Sequence, residues 1–264
     1  MLLKNKIAVI YGGAGAIGAT VARTFAREGA KVFLAGRTKA KLEKVVNEIT
    51  ETGGKAEMAI VDALNEEELD RHLQSIVKKE GRIDISFNAT GISHKGLQGI
   101  SLLDLSPEAY MQPIAMYLRS NFLTAKMAGK HMLPHRAGVI LVATATAGRV
   151  PFPHAGGIAP TWAAMEALSR GFAIELGTNG IRCVCIRAEG MPESPLVQEV
   201  MELHRQAGDM TDSKDFLDLL ADFSMLKKLP TLQEFANMAA FMASDSASCT
   251  TAAVINVSGG RISD

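Results

Sequence analysis

The chain has 264 residues, with 28 Lys plus Arg set against 28 Asp plus Glu, so its formal net charge is zero. That balance offers no electrostatic footprint for nucleic acid or an anionic membrane surface, and three cysteines make no disulfide framework. No apolar run approaches the ~20 residues of a membrane span and the first residues lack the apolar core of a signal peptide, so the expected location is the cytoplasm.

Ile7-Ala8-Val9-Ile10-Tyr11 is short, apolar and β-prone, and reads as a buried strand. A glycine-rich loop follows, in which Gly13, Gly15 and Gly18 satisfy G-x-G-x-x-G. Ala19 to Glu28 has helical apolar spacing, with Gly29 placed as a C-terminal cap, and Lys31 to Ala35 is a second strand. Strand, glycine turn, helix and strand make a βαβ unit. A helix N-terminus presents unpaired N–H groups and partial positive charge, and glycines let a pyrophosphate approach them. The unit therefore predicts a dinucleotide site.

Next come a helix carrying Leu42, Val45, Val46 and Ile49, a third strand over Ala56–Val61, and Asp62. Asn65 with Glu68 predicts a capping box. A fourth strand over Ile83–Phe87 runs into Asn88-Ala89-Thr90-Gly91. Ser106-Pro107 predicts a helix start, and one long helix is expected to continue to about Pro134. Strands over Val139–Ala143, Arg182–Arg187 and Ala253–Val257 complete the set, with helices from about Ala159 to Leu176 and after the capping box Thr231–Glu234. The alternation predicts a single α/β domain over 1–264, a doubly wound, Rossmann-type parallel sheet of about seven strands. The segment from Pro192 to Leu229 breaks the rhythm, with Met- and Leu-rich helical pieces at Leu196–His204 and Phe216–Leu220. Placed beyond a strand's C-terminal end, it reads as a lid-like insert at about 192–229.

Over nearly its whole length the sequence resembles the short-chain dehydrogenase/reductase family. Tyr11 to Gly18 is similar to that family's T-G-x-x-x-G-x-G loop, with Tyr11 for the threonine and Ala16 for the second glycine. Asp62 matches the acid at the adenine, Asn88-Ala89-Thr90-Gly91 resembles the N-N-A-G motif, and Ala188 to Ser194 replaces the P-G loop beside the nicotinamide. The resemblance implies a nicotinamide dinucleotide held by Gly12, Gly13, Gly15, Ile17, Gly18, Arg37, Thr38, Asp62, Ala63, Asn88, Ala89, Gly91 and Pro192. NAD selectivity uses an acid at the end of the second strand. Here Gly36-Arg37-Thr38 stands there, and an arginine suits a 2′-phosphate, so NADP(H) is expected over NAD(H).

The resemblance also implies a catalytic Asn, Ser, Tyr and Lys. Matching Ala163 to Arg170 with the helix after the lysine puts Trp162 at the lysine and Ile158 at the tyrosine. Counting along the fifth strand independently puts Ala145 at the serine, and Phe122-Leu123 puts Tyr117 at the asparagine. None of these residues can play its family role. Tyr117 and His154 are the candidate replacements as proton donors, while Thr144 and Thr146 can hydrogen-bond a carbonyl. Arg187 and Glu189 can bind a polar group or pair with one another, Cys183 and Cys185 read as core, and no metal site is visible. Three functions stay open: an atypical oxidoreductase on a small carbonyl or alcohol, a non-catalytic family member acting as a nucleotide-binding or subunit-partner protein, and, behind these, a different reaction in the same cleft such as elimination. The resemblance implies a homo-oligomer, and the low charge of Ala159–Leu176 points to a homotetramer.

Overall fold

The structure is a computed structural model and describes residues 1–208 and 213–263. In chain order the strands are β1 (Ile7–Tyr11), β2 (Lys31–Gly36), β3 (Lys55–Ile60), β4 (Ile85–Asn88), β5 (Gly138–Ala145), β6 (Ile181–Ala188) and β7 (Val254–Val257). They form one seven-stranded sheet in the order β3-β2-β1-β4-β5-β6-β7, every pairing parallel. The order reverses between β1 and β4, and the crevice at such a switch point is where sheets of this kind bind ligands.

Along β1 the side chains alternate between two cores. Ala8 and Ile10 join the cluster built with α1 (Ala16–Arg27), α2 (Lys39–Glu51) and α9 (Leu232–Ala243). Ile7, Val9 and Tyr11 join the opposite cluster with α3 (Glu66–Glu80), α5 (Arg119–Met132) and α6 (Ile158–Gly177). A strand buried on both faces needs the continuous apolar run that β1 shows.

Two local expectations are corrected. Asn65 caps α3 by accepting from the N–H groups of Glu67 and Glu68, but the Glu68 carboxylate returns to the N–H of Asp62 rather than to that of Asn65, so the box is open. The long helix expected up to Pro134 is interrupted: α4 (Pro107–Pro113) passes into a π-helical turn at Ile114–Leu118 before α5 begins. Pro113 lacks the N–H that an α-helical turn would use, and wider turns of this type mark places where a side chain is re-aimed. Tyr117 lies in that turn. Within 192–229 the described helices are α7 (Pro195–Gln206) and α8 (Ser213–Asp222). Met201, Phe216 and Leu220 form their own small apolar cluster there. Residues 209–212 of the expected lid lie outside the described residues.

Candidate functional site

The C-terminal ends of the strands border one cavity of about 750 Å³, within the size range of cofactor and substrate sites. Its first wall is the loop after β1. Gly12 has φ +68°, and a Cβ there would sit 2.5 Å from the carbonyl oxygen of Ala89. Gly18 is also obligatory, because a Cβ would overlap the backbone of Gly12. Gly15 caps α1 without any side-chain hydrogen bond, so the helix opens onto the cavity with its terminal N–H groups uncovered. A cradle that no side chain fills, at a helix N-terminus, fits a phosphate group.

Gly12, Gly15, Ile17, Arg37, Thr38, Asp62, Ala63, Asn88, Ala89 and Gly91 all line this cavity. Gly13, Gly18 and Pro192 are not among its lining residues. A Cβ on Gly13 would press on the Leu34 side chain at 2.9 Å, so that glycine serves packing. Arg37 is exposed just beyond β2, and Thr38 caps α2 without a side-chain bond, leaving its hydroxyl to the cavity. Asp62 accepts from the N–H of Leu64. Asn88 organises the loop after β4: its carboxamide oxygen accepts from the N–H and hydroxyl of Thr90, and its nitrogen donates to Thr124.

Tyr117, Ala145, Ile158 and Trp162 line the cavity as well, whereas His154 does not. Instead the His154 backbone carbonyl accepts from the N–H of Gly99. The Tyr117 and Trp162 rings pack with centroids 4.7 Å apart. The phenol is buried, and burial pushes its pKa up to about 12. Its oxygen lies 2.9 Å from Nε2 of His94 and 3.2 Å from the N–H of Ile92, which donates to it. His94 is buried in its turn, with its pKa lowered to about 4 by desolvation despite the charge of Glu199 nearby. Both groups are therefore neutral near pH 7.

Thr144 points away from a carbonyl role, toward the sulfur of Cys185 at 3.2 Å, while Thr146 bonds the Glu189 carboxylate. Cys183 and Cys185 lie in the core. Arg187 and Glu189 do not pair with one another. Arg187 is fully buried and grips Glu166 of α6 with two bonds of 2.7 and 2.8 Å, adding one to Asn256 of β7. Glu189 faces Arg261, and its pKa is raised, chiefly by burial. Sequence reasoning overlooked His94, Gln98, Lys41, Glu199 and Arg261, which also line the cavity. They sit in loops or on helices without a motif, and only the fold brings them together. Among the described residues there is no metal-binding cluster, and no helix is long and apolar enough to cross a membrane.

The family model described as Enoyl-(Acyl carrier protein) reductase matches residues 12–261. The chain is 31% identical to the uncharacterized oxidoreductase YxbG of Bacillus subtilis, over 98% of this chain and 91% of that protein. NAD+-bound xylitol dehydrogenase superimposes with a TM-score of 0.91 at 23% identity, covering 98% of this chain and all of that one. Actinorhodin polyketide ketoreductase with NADPH gives 0.87 at 23% identity, covering 97% of each chain. The glycine cradle, the sheet order and these matches agree: the chain belongs to the short-chain dehydrogenase/reductase family, whose members are oxidoreductases.

Proposed function

We propose that this protein is an oxidoreductase that binds NADP(H) in preference to NAD(H) and interconverts a small apolar carbonyl compound and its alcohol, slowly, without the family's usual catalytic residues. The observation that carries the reading is a continuous cavity lined by the uncapped N-terminus of α1, by Arg37 and by the Tyr117 phenol. The chain is read as a single dinucleotide-binding domain over 1–264, with α7 and α8 as its lid.

When bound, a nicotinamide gives or takes a hydride. The rest falls to the chain. The α1 N-terminus and the glycines hold the pyrophosphate, and Arg37 with Thr38 grips a 2′-phosphate, which an acid at that place would repel. The relatives named above leave this preference open, since one is bound to NAD+ and the other to NADPH. Ile158, Trp162 and Met191 exclude water from the reacting carbon. Tyr117 offers its hydroxyl to the substrate oxygen.

The slow rate follows from the same residues. In the family a lysine ammonium lowers the tyrosine pKa. Here the cations lining the cavity, among the described residues, are Arg37, Lys41 and Arg261, and Tyr117 is bonded to none of them. Burial drives the phenol the other way, to about 12, which makes it a steady hydrogen-bond donor and a poor acid. The same feature supports the second reading, a nucleotide-binding partner protein with no turnover. Fluorescence titration with NADPH and NADH, followed by NADPH consumption over a carbonyl panel, tests both. Binding with slow consumption supports the enzyme, binding with none supports the partner, and no binding of either cofactor overturns both.

We also propose that the protein assembles as a homotetramer. Ile114, Leu118 and Phe122 face Ala164 and Leu168 across an apolar surface groove, a surface of the kind that oligomers cover. A monomer mass by light scattering at micromolar concentration would refute it.

A further inference from the structure

Three buried polar side chains, one after another, lead away from the Tyr117 oxygen. His94 Nε2 is 2.9 Å from it. On the far side of that imidazole, Nδ1 is 2.9 Å from the amide nitrogen of Gln98. The amide oxygen of Gln98 is 3.1 Å from Nε2 of His204. His204 is fully buried on α7, packed against the rings of Phe152 and Phe216, which also touch each other.

The chemistry of the carboxamide fixes a direction. Its nitrogen only donates and its oxygen only accepts. His204 must therefore carry hydrogen on Nε2. His94 must accept at Nδ1, so its own hydrogen is on Nε2 and points at Tyr117. The Tyr117 oxygen thus receives one hydrogen from His94 and a second from the N–H of Ile92. With both lone pairs taken, the phenol can act only as a donor. Among the described residues the hydroxyl's acceptor is the Ile92 carbonyl, at a long 3.4 Å, a contact that a ligand oxygen in the cavity would displace.

We propose that Gln98 and His204 are positioning residues, which with His94 form a one-way hydrogen-bond chain from α7 that commits the Tyr117 hydroxyl to donate into the cavity. The ligand group it selects is an acceptor without a competing hydrogen, which describes a carbonyl oxygen. The inference rests on the proposed oxidoreductase reading and gives that reading's donor its orientation. The chain is anchored at two points along α7. The Glu199 carboxylate accepts from the Ser93 hydroxyl and from the N–H of His94, and Gly99 abuts the backbone of Leu203. Glu199, Tyr117 and, through Gln98, His204 are the titratable groups facing His94.

The test uses ring-nitrogen NMR of the intact, uniformly ¹⁵N-labelled protein at pH 7, with no cofactor added. His94 should show the pure Nε2–H tautomer, and His204 should carry hydrogen on Nε2. Gln98→Leu keeps the bulk and removes both bonds, so His94 should lose its single-tautomer pattern. The emission of Trp162, the sole tryptophan, should then shift, because its ring packs on Tyr117. An Nδ1–H tautomer at His94 in the unaltered protein overturns the proposal, whether or not the variant folds. A folded Gln98→Leu protein with unchanged His94 signals and unchanged emission also overturns it. Failure of the unaltered protein to bind NADPH is a separate result: it overturns the functional reading, while the tautomers still decide the chain.

Discussion

Tyr117 and His94 meet at 2.9 Å, phenol oxygen to imidazole nitrogen, with both groups buried and both held neutral by that burial. A phenol activated by an ammonium, as the family resemblance implies for its catalytic pair, is electrically the opposite of these two neutral groups. Tyr117→Phe should lower turnover of any carbonyl the protein reduces by about 10²-fold, the effect of losing one preorganised donor to a developing oxyanion. The affinity for NADPH should stay within about twofold. Steady-state kinetics beside a binding titration separates the two. The same change strands the Nε2–H of His94, which costs about 1–3 kcal/mol in urea unfolding.

On the proposed reading, building the family's catalytic group at these positions should be cooperative. Ile158→Tyr with Trp162→Lys supplies an acid and its cation but removes the ring that packs on Tyr117. Without Ala145→Ser the substrate oxygen lacks the serine donor that the family resemblance implies beside the tyrosine. The triple variant should exceed the product of the separate effects, with a coupling of roughly 0.5–3 kcal/mol in a mutant cycle on kcat/KM. Strictly additive effects would show that these positions do not share one proton path.

Acid should weaken the fold through its buried histidines. Burial lowers the pKa values of both His72 and His94 to about 4. Above pH 6.5 neither the folded nor the unfolded state charges them, and their contribution is complete. Between pH 6.5 and 4 the unfolded chain takes up protons that the folded protein refuses, so stability falls, by about 1.4 kcal/mol per pH unit per histidine. Glu189, raised chiefly by burial, works in the opposite sense. Urea midpoints measured from pH 8 to 4 should fall across that window, and less steeply in His72→Phe. An equal slope in the variant would contradict this.

The buried pair Arg187–Glu166 ties α6 to β6 behind the cavity. Glu166→Ala removes both carboxylate bonds from the buried guanidinium and should cost about 3–5 kcal/mol. Chemical denaturation measures it, and a loss below about 1 kcal/mol would show that the cation finds another partner.

What the sequence revealed and what it hid follow from distance along the chain. The βαβ unit was legible because its signals are local: an apolar strand, glycines that only backbone can approach, and a helix with one buried face. Strand boundaries shifted by one or two residues, as at Lys55–Ile60 and Ile85–Asn88. The π-helical turn at Tyr117 was missed because helical apolar spacing continues through it, and Pro113 alone does not name the wider turn. For Arg187 the sequence offers a polar ligand or Glu189, two residues away, yet the side chain grips Glu166 on another element. The run from Tyr117 to His204 had no sequence signal, since its members come from a loop, a helical turn and α7.

The most direct test of the account is the relative affinity for the two reduced cofactors, read by fluorescence titration of the unaltered protein and of Arg37→Ala. Arg37 lines the cavity beside Thr38 and is exposed beyond the end of β2, where an acid would mark NAD(H). The account predicts that NADPH binds at least about tenfold more tightly than NADH, a difference of about 1.4 kcal/mol, and that Arg37→Ala erases most of it. Equal or tighter binding of NADH by the unaltered protein, or no binding of either, would contradict it.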